Sequence, residues 1–303
     1  MRNLLYGCIL VILGIFLASG YQWAKDNFVP SPAPKVRPGQ GSIRYPEIDY
    51  LRVNALGELG SIPAFERQQV RHGIGAAITS LDAWLSRIRS ARPELICVGE
   101  SHDDETRAFL AKRFFPEYPV DALMLEIPQK DLAILLKLID SGSPRLSLLA
   151  ADVAEVIRAA RRANARVSIR GIEEKRSQLI ARFKDRRGSR EQSILENYRA
   201  QFRRGQRHAV LYGALHCTDS PSWFFGRVRE SSNTGITGST LSVNVVNAHE
   251  SGETEAFVNF LRSLELPPPP FVIPRTELLH AEVYAWFPQL SRTFRQYDAV
   301  IVF

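Results

Sequence analysis

Four short apolar runs in this chain each close on a carboxylate or a histidine, and that repetition limits the folds open to it. Leu95-Ile96-Cys97-Val98 meets Gly99 and is followed within five positions by Glu100, Ser101, His102, Asp103 and Asp104. Asp121–Ile127 carries Glu126 near its end, Val167–Ile172 closes on Glu173-Glu174, and His208–Leu215 closes on His216. Short apolar runs bounded by polar clusters read as buried strands. Helical patterns separate them: Glu105–Phe115, stopping at Pro116; Lys130–Ile139 and Ala150–Ala163, split by Ser141-Gly142-Ser143-Pro144; and a basic stretch, Lys175–Arg204, broken near Gly188. Strands alternating with helices predict an α/β fold with a mostly parallel central sheet flanked by helices. Parallel strands put their carboxyl ends on one edge, where ligands bind in open sheets. The acids and histidines are therefore expected to converge.

The remaining elements fit around this frame. Val70, Ile74, Ile78, Leu81, Leu85 and Ile88 recur at helical spacing and predict one amphipathic helix over Val70–Arg89. Ser220–Thr240, rich in Gly, Ser and Asn, is expected to be a loop over one end of the sheet. Leu241–Val246 reads as a fifth strand with Asn247 and His249 just beyond it. Glu255–Leu264 and Glu277–Phe287 read as helices, Pro267–Pro270 as a rigid linker and Ala299–Phe303 as the last strand.

Asn3 to Ala24 carries no charge, and Leu4–Ala18 is almost wholly apolar between Arg2 and Lys25. That length suits a membrane span, with Tyr21 and Trp23 in the interfacial belt. A cleaved signal peptide ending near Ala18-Ser19-Gly20 is the competing reading. Phe28–Gly41, rich in Pro and Gly, reads as a semi-extended tether. The expected organisation is an anchor or signal over 1–27, a tether over 28–62 and a single α/β domain over 63–303. Residues 4–24 would meet the membrane, and the domain would face the periplasm or cell exterior.

A formal charge of +7, from 39 Lys+Arg against 32 Asp+Glu, comes with no nucleic-acid motif, so no nucleic-acid partner is expected. There are three cysteines and no CxxC spacing. Cys97 and Cys217 are expected to be core thiols, although a compartment outside the cytoplasm would allow a bridge between them if the geometry did. His72, His208 and His280 have no partner pattern.

Glu100, His102, Glu126, Glu173 and His216 share one topological position. Two histidines with two or three carboxylates can bind a divalent metal, or can supply a general base oriented by an acid. Beyond Gly188, helical spacing places Arg190, Ile194, Asn197 and Gln201 on one face, so that Arg190 and Asn197 could reach a bound anion or a developing oxyanion. Tyr212, Trp223, Phe224 and Phe225 are expected to be exposed aromatics near the cleft.

Gly99–Asp104 (GESHDD), Leu125-Glu126, Arg190-Glu191 with Asn197 seven positions after the arginine, and Gly213–His216 (GALH) occur in that order. Together they resemble the superfamily that joins erythromycin esterases, ChaN-type haem-binding lipoproteins and the Tiki/TraB proteins. Tyr297-Asp298-Ala299-Val300 resembles that superfamily's last strand. The esterase-like branch implies His102 as the base activating water, Glu100 and Glu126 holding it, and His216 and Arg190 at a small-molecule substrate. The Tiki-like branch implies Glu100, His102, Glu126 and His216 as a divalent-metal site for peptide hydrolysis. The haem-binding branch implies a docking surface without turnover, with His216 or a nearby Tyr as ligand.

Overall fold

All four runs become strands of one sheet. The computed structural model describes residues 68, 71–72, 75–76, 78–143, 150–185, 188–231, 235–248, 266–274 and 296–303. In chain order the elements are β1 (Thr79–Ser80), α1 (Leu81–Ala91), β2 (Leu95–Glu100) and α2 (Asp104–Phe109), which widens into a π-type turn over Leu110–Phe114. Then come β3 (Ala122–Leu125), α3 (Gln129–Asp140), α4 (Ala151–Ala163), β4 (Ser168–Gly171), α5 (Arg176–Lys184) and α6 (Arg190–Gln201). β5 (His208–Gly213) runs into a 3-10 turn, Ala214–Cys217, followed by α7 (Phe224–Glu230), β6 (Thr240–Val246), β7 (Phe271–Pro274) and β8 (Ala299–Val302).

The sheet order is β1-β7-β8-β6-β2-β5-β3-β4. From β8 to β4 every pairing is parallel; β7 runs antiparallel to β8, and β1 to β7. Every residue of β2, β3 and β5 is buried, as strands covered on both faces require. Alternate residues serve two cores. Ile96, Val98, Leu123, Leu125, Ala209 and Leu211 pack with Trp84, Phe114, Leu132 and Ile157 on one face. Leu95, Cys97, Met124, Val210 and Tyr212 pack with Ile194, Leu195, Tyr198, Phe224 and Phe225 on the other. β5 enters the sheet between β2 and β3, so their three carboxyl ends are neighbours; Glu100 lies opposite Gly213, and Leu125 beside both Leu211 and Gly171.

Several expectations need correction. The helix over Val70–Arg89 is interrupted, because Thr79 and Ser80 pair with Val272 and Phe271 while the Ser80 hydroxyl caps α1 by accepting from the Ala83 N–H. The segment Ser220–Thr240 is not all loop: Phe224, Phe225 and Val228 bury one face of α7. The proline run leads directly into β7. The helices expected over Glu255–Leu264 and Glu277–Phe287, His249, His280, and the segments 1–27 and 28–62 lie outside the described residues. Among the described residues no helix is long and apolar enough to cross a membrane.

Candidate functional site

The connection from β2 to α2 is only three residues long, and its geometry is set by Asp103. The Asp103 carboxylate accepts from the Thr106 N–H at 2.6 Å and starts α2 immediately, which leaves His102 in the left-handed region at φ 62°. A non-glycine residue is seldom held there, and such positions gather at functional sites. The bend turns the His102 ring back over the sheet edge, with Nδ1 3.2 Å from Glu100 Oε1 and Nε2 3.2 Å from Glu126 Oε2. Gly213 makes room: a Cβ on it would lie 2.7 Å from His102 Nε2. The Gly213 N–H donates to Glu126 Oε2 at 2.8 Å.

Gly99 allows a second close approach. A Cβ there would lie 2.8 Å from Ala214 Cα, so the turn after β5 can fold across β2 only because none is present. The same turn carries Cys217 over Cys97, with Cα atoms 5.4 Å apart, and the two form a disulfide rather than the two core thiols expected. It also fixes His216, which is 6% exposed. Its Nδ1 is 2.9 Å from Glu191 Oε1, and Arg190 Nη1 approaches its Nε2 at 3.1 Å. A guanidinium can only donate, so the network assigns the His216 proton to Nδ1, facing Glu191.

Arg190, in the first turn of α6, joins the two halves. It donates to Glu126 Oε1 at 2.5 Å, to Glu173 Oε2 at 2.7 Å and to Glu173 Oε1 at 3.1 Å. The Tyr212 hydroxyl donates to Glu173 at 2.8 Å. On the far side Arg107 grips Glu100 through Nε, 3.0 Å from both oxygens, and through Nη2 at 2.8 Å; its Nη1 pairs with Asp152 at the start of α4. The result is one unbroken chain: Asp152, Arg107, Glu100, His102, Glu126, Arg190, then Glu173 and His216.

The charge of this chain decides the state of His102. Arg107 Nη2 lies 3.0 Å from His102 Nδ1, an arrangement that suits a neutral ring accepting there. Against it stand the carboxylates of Glu100 and Glu126, each 3.2 Å from a ring nitrogen. The carboxylates prevail. Burial disfavours the charged ring, but the hydrogen bonds and charges of Glu100 and Glu126 outweigh it and raise the His102 pKa to about 9. Burial likewise opposes ionisation of Glu126, yet the His102 hydrogen bond, with the charges of His102 and Arg190, holds it down to about 2. Glu173 is lowered in the same way: burial is overcome by Arg190, the Glu174 N–H and Tyr212. Burial beside Glu173 and Glu126 pushes the Tyr212 hydroxyl well above its usual range.

The sheet edge thus brings together Glu100, His102, Glu126, Glu173, Arg190 and His216. Asn197 belongs elsewhere. It is 3% exposed, and its amide donates to the carbonyls of Ile172 and Glu173 and to Gln178 Oε1, so it fixes the end of β4 instead of facing a ligand. Arg107 and Asp152 were not singled out from sequence, and Glu191 only as the neighbour of Arg190 in the motif. Arg107 falls seven residues after Glu100 on the following helix, a spacing that could have drawn attention; Asp152 offers no local signal.

The donor set does not fit a metal. Two guanidiniums occupy the carboxylate oxygens and the His216 nitrogen that a cation would need, and among the described residues no group of three or more His, Cys, Asp or Glu is arranged to hold one. It does not fit haem ligation by His216 or Tyr212 either, since both are buried with their polar atoms engaged. Nor are the aromatics exposed as expected: Tyr212, Phe224 and Phe225 lie in the core, and Trp223 is half-buried. A cavity of about 420 Å³ lies at the other end of the sheet, lined by Ala122, Ser168, Arg170, Gln201, Arg203 and Gln206.

No family model matches the chain, and no curated protein matches it. Among solved structures it is similar to ChaN of Campylobacter jejuni, a structure of cofacial haem binding, with 9% identity and a TM-score of 0.40 over 74% of this chain and 91% of that one. It is also similar to the type III effector HopBA1, with 17% identity and a TM-score of 0.32 over 55% of this chain and 85% of that one. A third similarity is to RRSP, a MARTX toxin effector domain from Vibrio vulnificus, with 16% identity and a TM-score of 0.32 over 55% and 36% of the two chains.

Proposed function

We propose that the carboxyl edge of this sheet is the active centre of a hydrolase of the erythromycin esterase and ChaN/Tiki type, in which His102 activates water while Glu100 and Glu126 hold its ring. The observation that carries the reading is His102 itself, a strained residue between two carboxylates whose side chain is 37% exposed while those of Glu100 and Glu126 are 3% and 15% exposed. Of the network's side chains, that of His102 is the most exposed to solvent. In its neutral form the ring keeps its Nε2–H on Glu126, and Nδ1 becomes the base for water as the Arg107 guanidinium gives way. The water oxygen then bonds to an acyl carbon, the bond to the leaving group breaks, and the proton passes through His102 to the leaving group.

The resting charge of His102 gives this proposal its signature. With a pKa of about 9, roughly one ring in a hundred is neutral at pH 7, so turnover rises about tenfold per pH unit and levels near pH 9. A panel of activated esters and amides assayed from pH 6 to 10 checks this. A profile flat to pH 9 and falling above it would instead make the imidazolium the active form and overturn water activation by His102. His102→Ala is expected to lower kcat by about 10²- to 10⁴-fold with an unchanged folded spectrum; retained turnover sinks the mechanism.

A setting outside the cytoplasm, membrane-tethered through residues 4–24, belongs to the same proposal. The buried Cys97–Cys217 bridge supports it, since such bridges persist in oxidising compartments. Haem binding in the same cleft is the competing reading, and titration with haem tests it: a saturable Soret shift lost in His102→Ala would favour docking over turnover.

A further inference from the structure

We propose that α5 is an interfacial helix that seats on an anionic lipid surface. Most helices here bury an apolar face, but α5 buries no residue at all. Instead Leu179, Ile180 and Phe183 are 40%, 43% and 69% exposed, three of the four large apolar side chains so exposed among the described residues. At about 100° per residue, Arg176, Leu179, Ile180, Phe183 and Lys184 fall within one arc of roughly 140°. Apolar side chains and cations therefore share a face. That is the pattern of a helix lying in a headgroup layer, where the apolar groups enter the acyl boundary and the cations meet lipid phosphates.

Charge selects the occupant. Lys175–Arg187 holds six basic residues and one acidic, a net of +5 in a chain of net +7. Arg182 is committed to Glu174 and lies over the Phe183 ring, but Lys175, Arg176 and Lys184 are exposed and form no ion pair among the described residues. A second copy of this face would set cation against cation. An anionic bilayer neutralises it, with each cation near such a surface adding to the attraction. The apolar segment over 4–24, expected to enter a bilayer, would keep the helix close to one.

Placement gives the contact a consequence. α5 begins just after Glu173-Glu174 and is held to the site by Arg182 on Glu174 and by the Asn197 amide on Gln178. Seating α5 on lipid brings the carboxyl edge of the sheet to the membrane surface. Seating of α5 on lipid does not depend on turnover at His102.

Hydrogen exchange on the full chain reconstituted in vesicles tests it, because the readout is local to peptides covering 175–185 and is not confounded by the N-terminal segment. In vesicles containing phosphatidylglycerol, exchange in α5 should slow by about tenfold relative to pure phosphatidylcholine, and 0.5 M salt should remove much of the difference. F183S and K184E, both at exposed positions, should each abolish the slowing while leaving exchange in β2 and β5 unchanged. Equal exchange in the two lipids overturns the proposal. So does slowing that follows protein concentration without lipid, which would assign the face to a second copy, or slowing that appears only with an added polynucleotide.

Discussion

The two ends of the central sheet bury carboxylates in opposite ways. At the amino end, Glu94 accepts from the backbone N–H groups of Gly205, Thr237 and Gly238 at 3.3, 2.9 and 2.7 Å, while the more exposed Asp121 accepts from the Arg207 N–H at 2.9 Å and has the Arg207 guanidinium 3.5 Å away. At the carboxyl end Glu100, Glu126 and Glu173 are matched mainly by Arg107, His102 and Arg190, with two backbone donors in support. A backbone donor is fixed in place by the fold. A side-chain donor can rotate, exchange a proton or give way to a ligand. The amino end is thus built to hold loops, and the carboxyl end to be rearranged.

Removing the central cation is expected to have the largest effect. Arg190→Met leaves Glu126 and Glu173 buried without their counter-charge and should destabilise the protein by about 3–5 kcal/mol in urea unfolding, with Glu173→Gln added to the same chain recovering part of the loss. A neutral result would mean that the carboxyl-end pairs contribute nothing to the fold. Replacing Cys97 and Cys217 together by Ala comes next. The bridge closes a loop of sequence separation 120, and its loss should cost about 2–4 kcal/mol. The comparison is sharpened if faster hydrogen exchange then appears in the turn bearing His216 and not around Glu94. Glu94→Gln turns a carboxylate that accepts from three N–H groups into an amide with one acceptor oxygen. A loss of about 1–2 kcal/mol is expected, with any hydrolytic turnover unchanged.

What could be read from the sequence divides along similar lines. A strand buried on both faces writes an unbroken apolar run, so β2, β3, β5 and their parallel direction were legible, as was the gathering of Glu100, His102, Glu126, Glu173, Arg190 and His216, whereas the strand order was not. Thr79–Ser80 is too short to carry a period, and Phe271–Pro274 hides behind prolines. Asn197 does share a face with Arg190, but periodicity reports faces and not targets, and its target is backbone. The disulfide depended on a turn crossing Gly99, which no local pattern encodes. The charge of His102 was least legible. It follows from Glu100 at the end of β2 and Glu126 just beyond β3, brought together across β5, and no short window of sequence contains both.

That charge supplies the smallest and most selective prediction, since the two ends should weaken in opposite directions from a pH near 6.5. The His102 pKa is raised, so the stability from its charge is complete below 6.5 and is lost as pH climbs through about 9. Glu126 is lowered from 4.5 to about 2, so its share is complete above 4.5 and is lost only as pH falls toward 2. At the amino end, burial overrides the Arg203 carbonyl and lowers the His208 pKa below 6.5, and the backbone donors outweigh burial to lower that of Glu94 below 4.5. Both of those contributions are intact above 6.5 and fade only on acidification. Protection of the Gly213 amide, bonded to Glu126, should therefore fall between pH 7 and 9.5 once corrected for intrinsic exchange, while the Gly238 amide, bonded to Glu94, holds steady. Between pH 6.5 and 4.5 the Gly213 amide should hold while the His208 region loosens. Parallel loss at both ends above pH 7 would mean that His102 is neutral at rest, and would remove the difference between the two ends on which its role as a proton carrier depends.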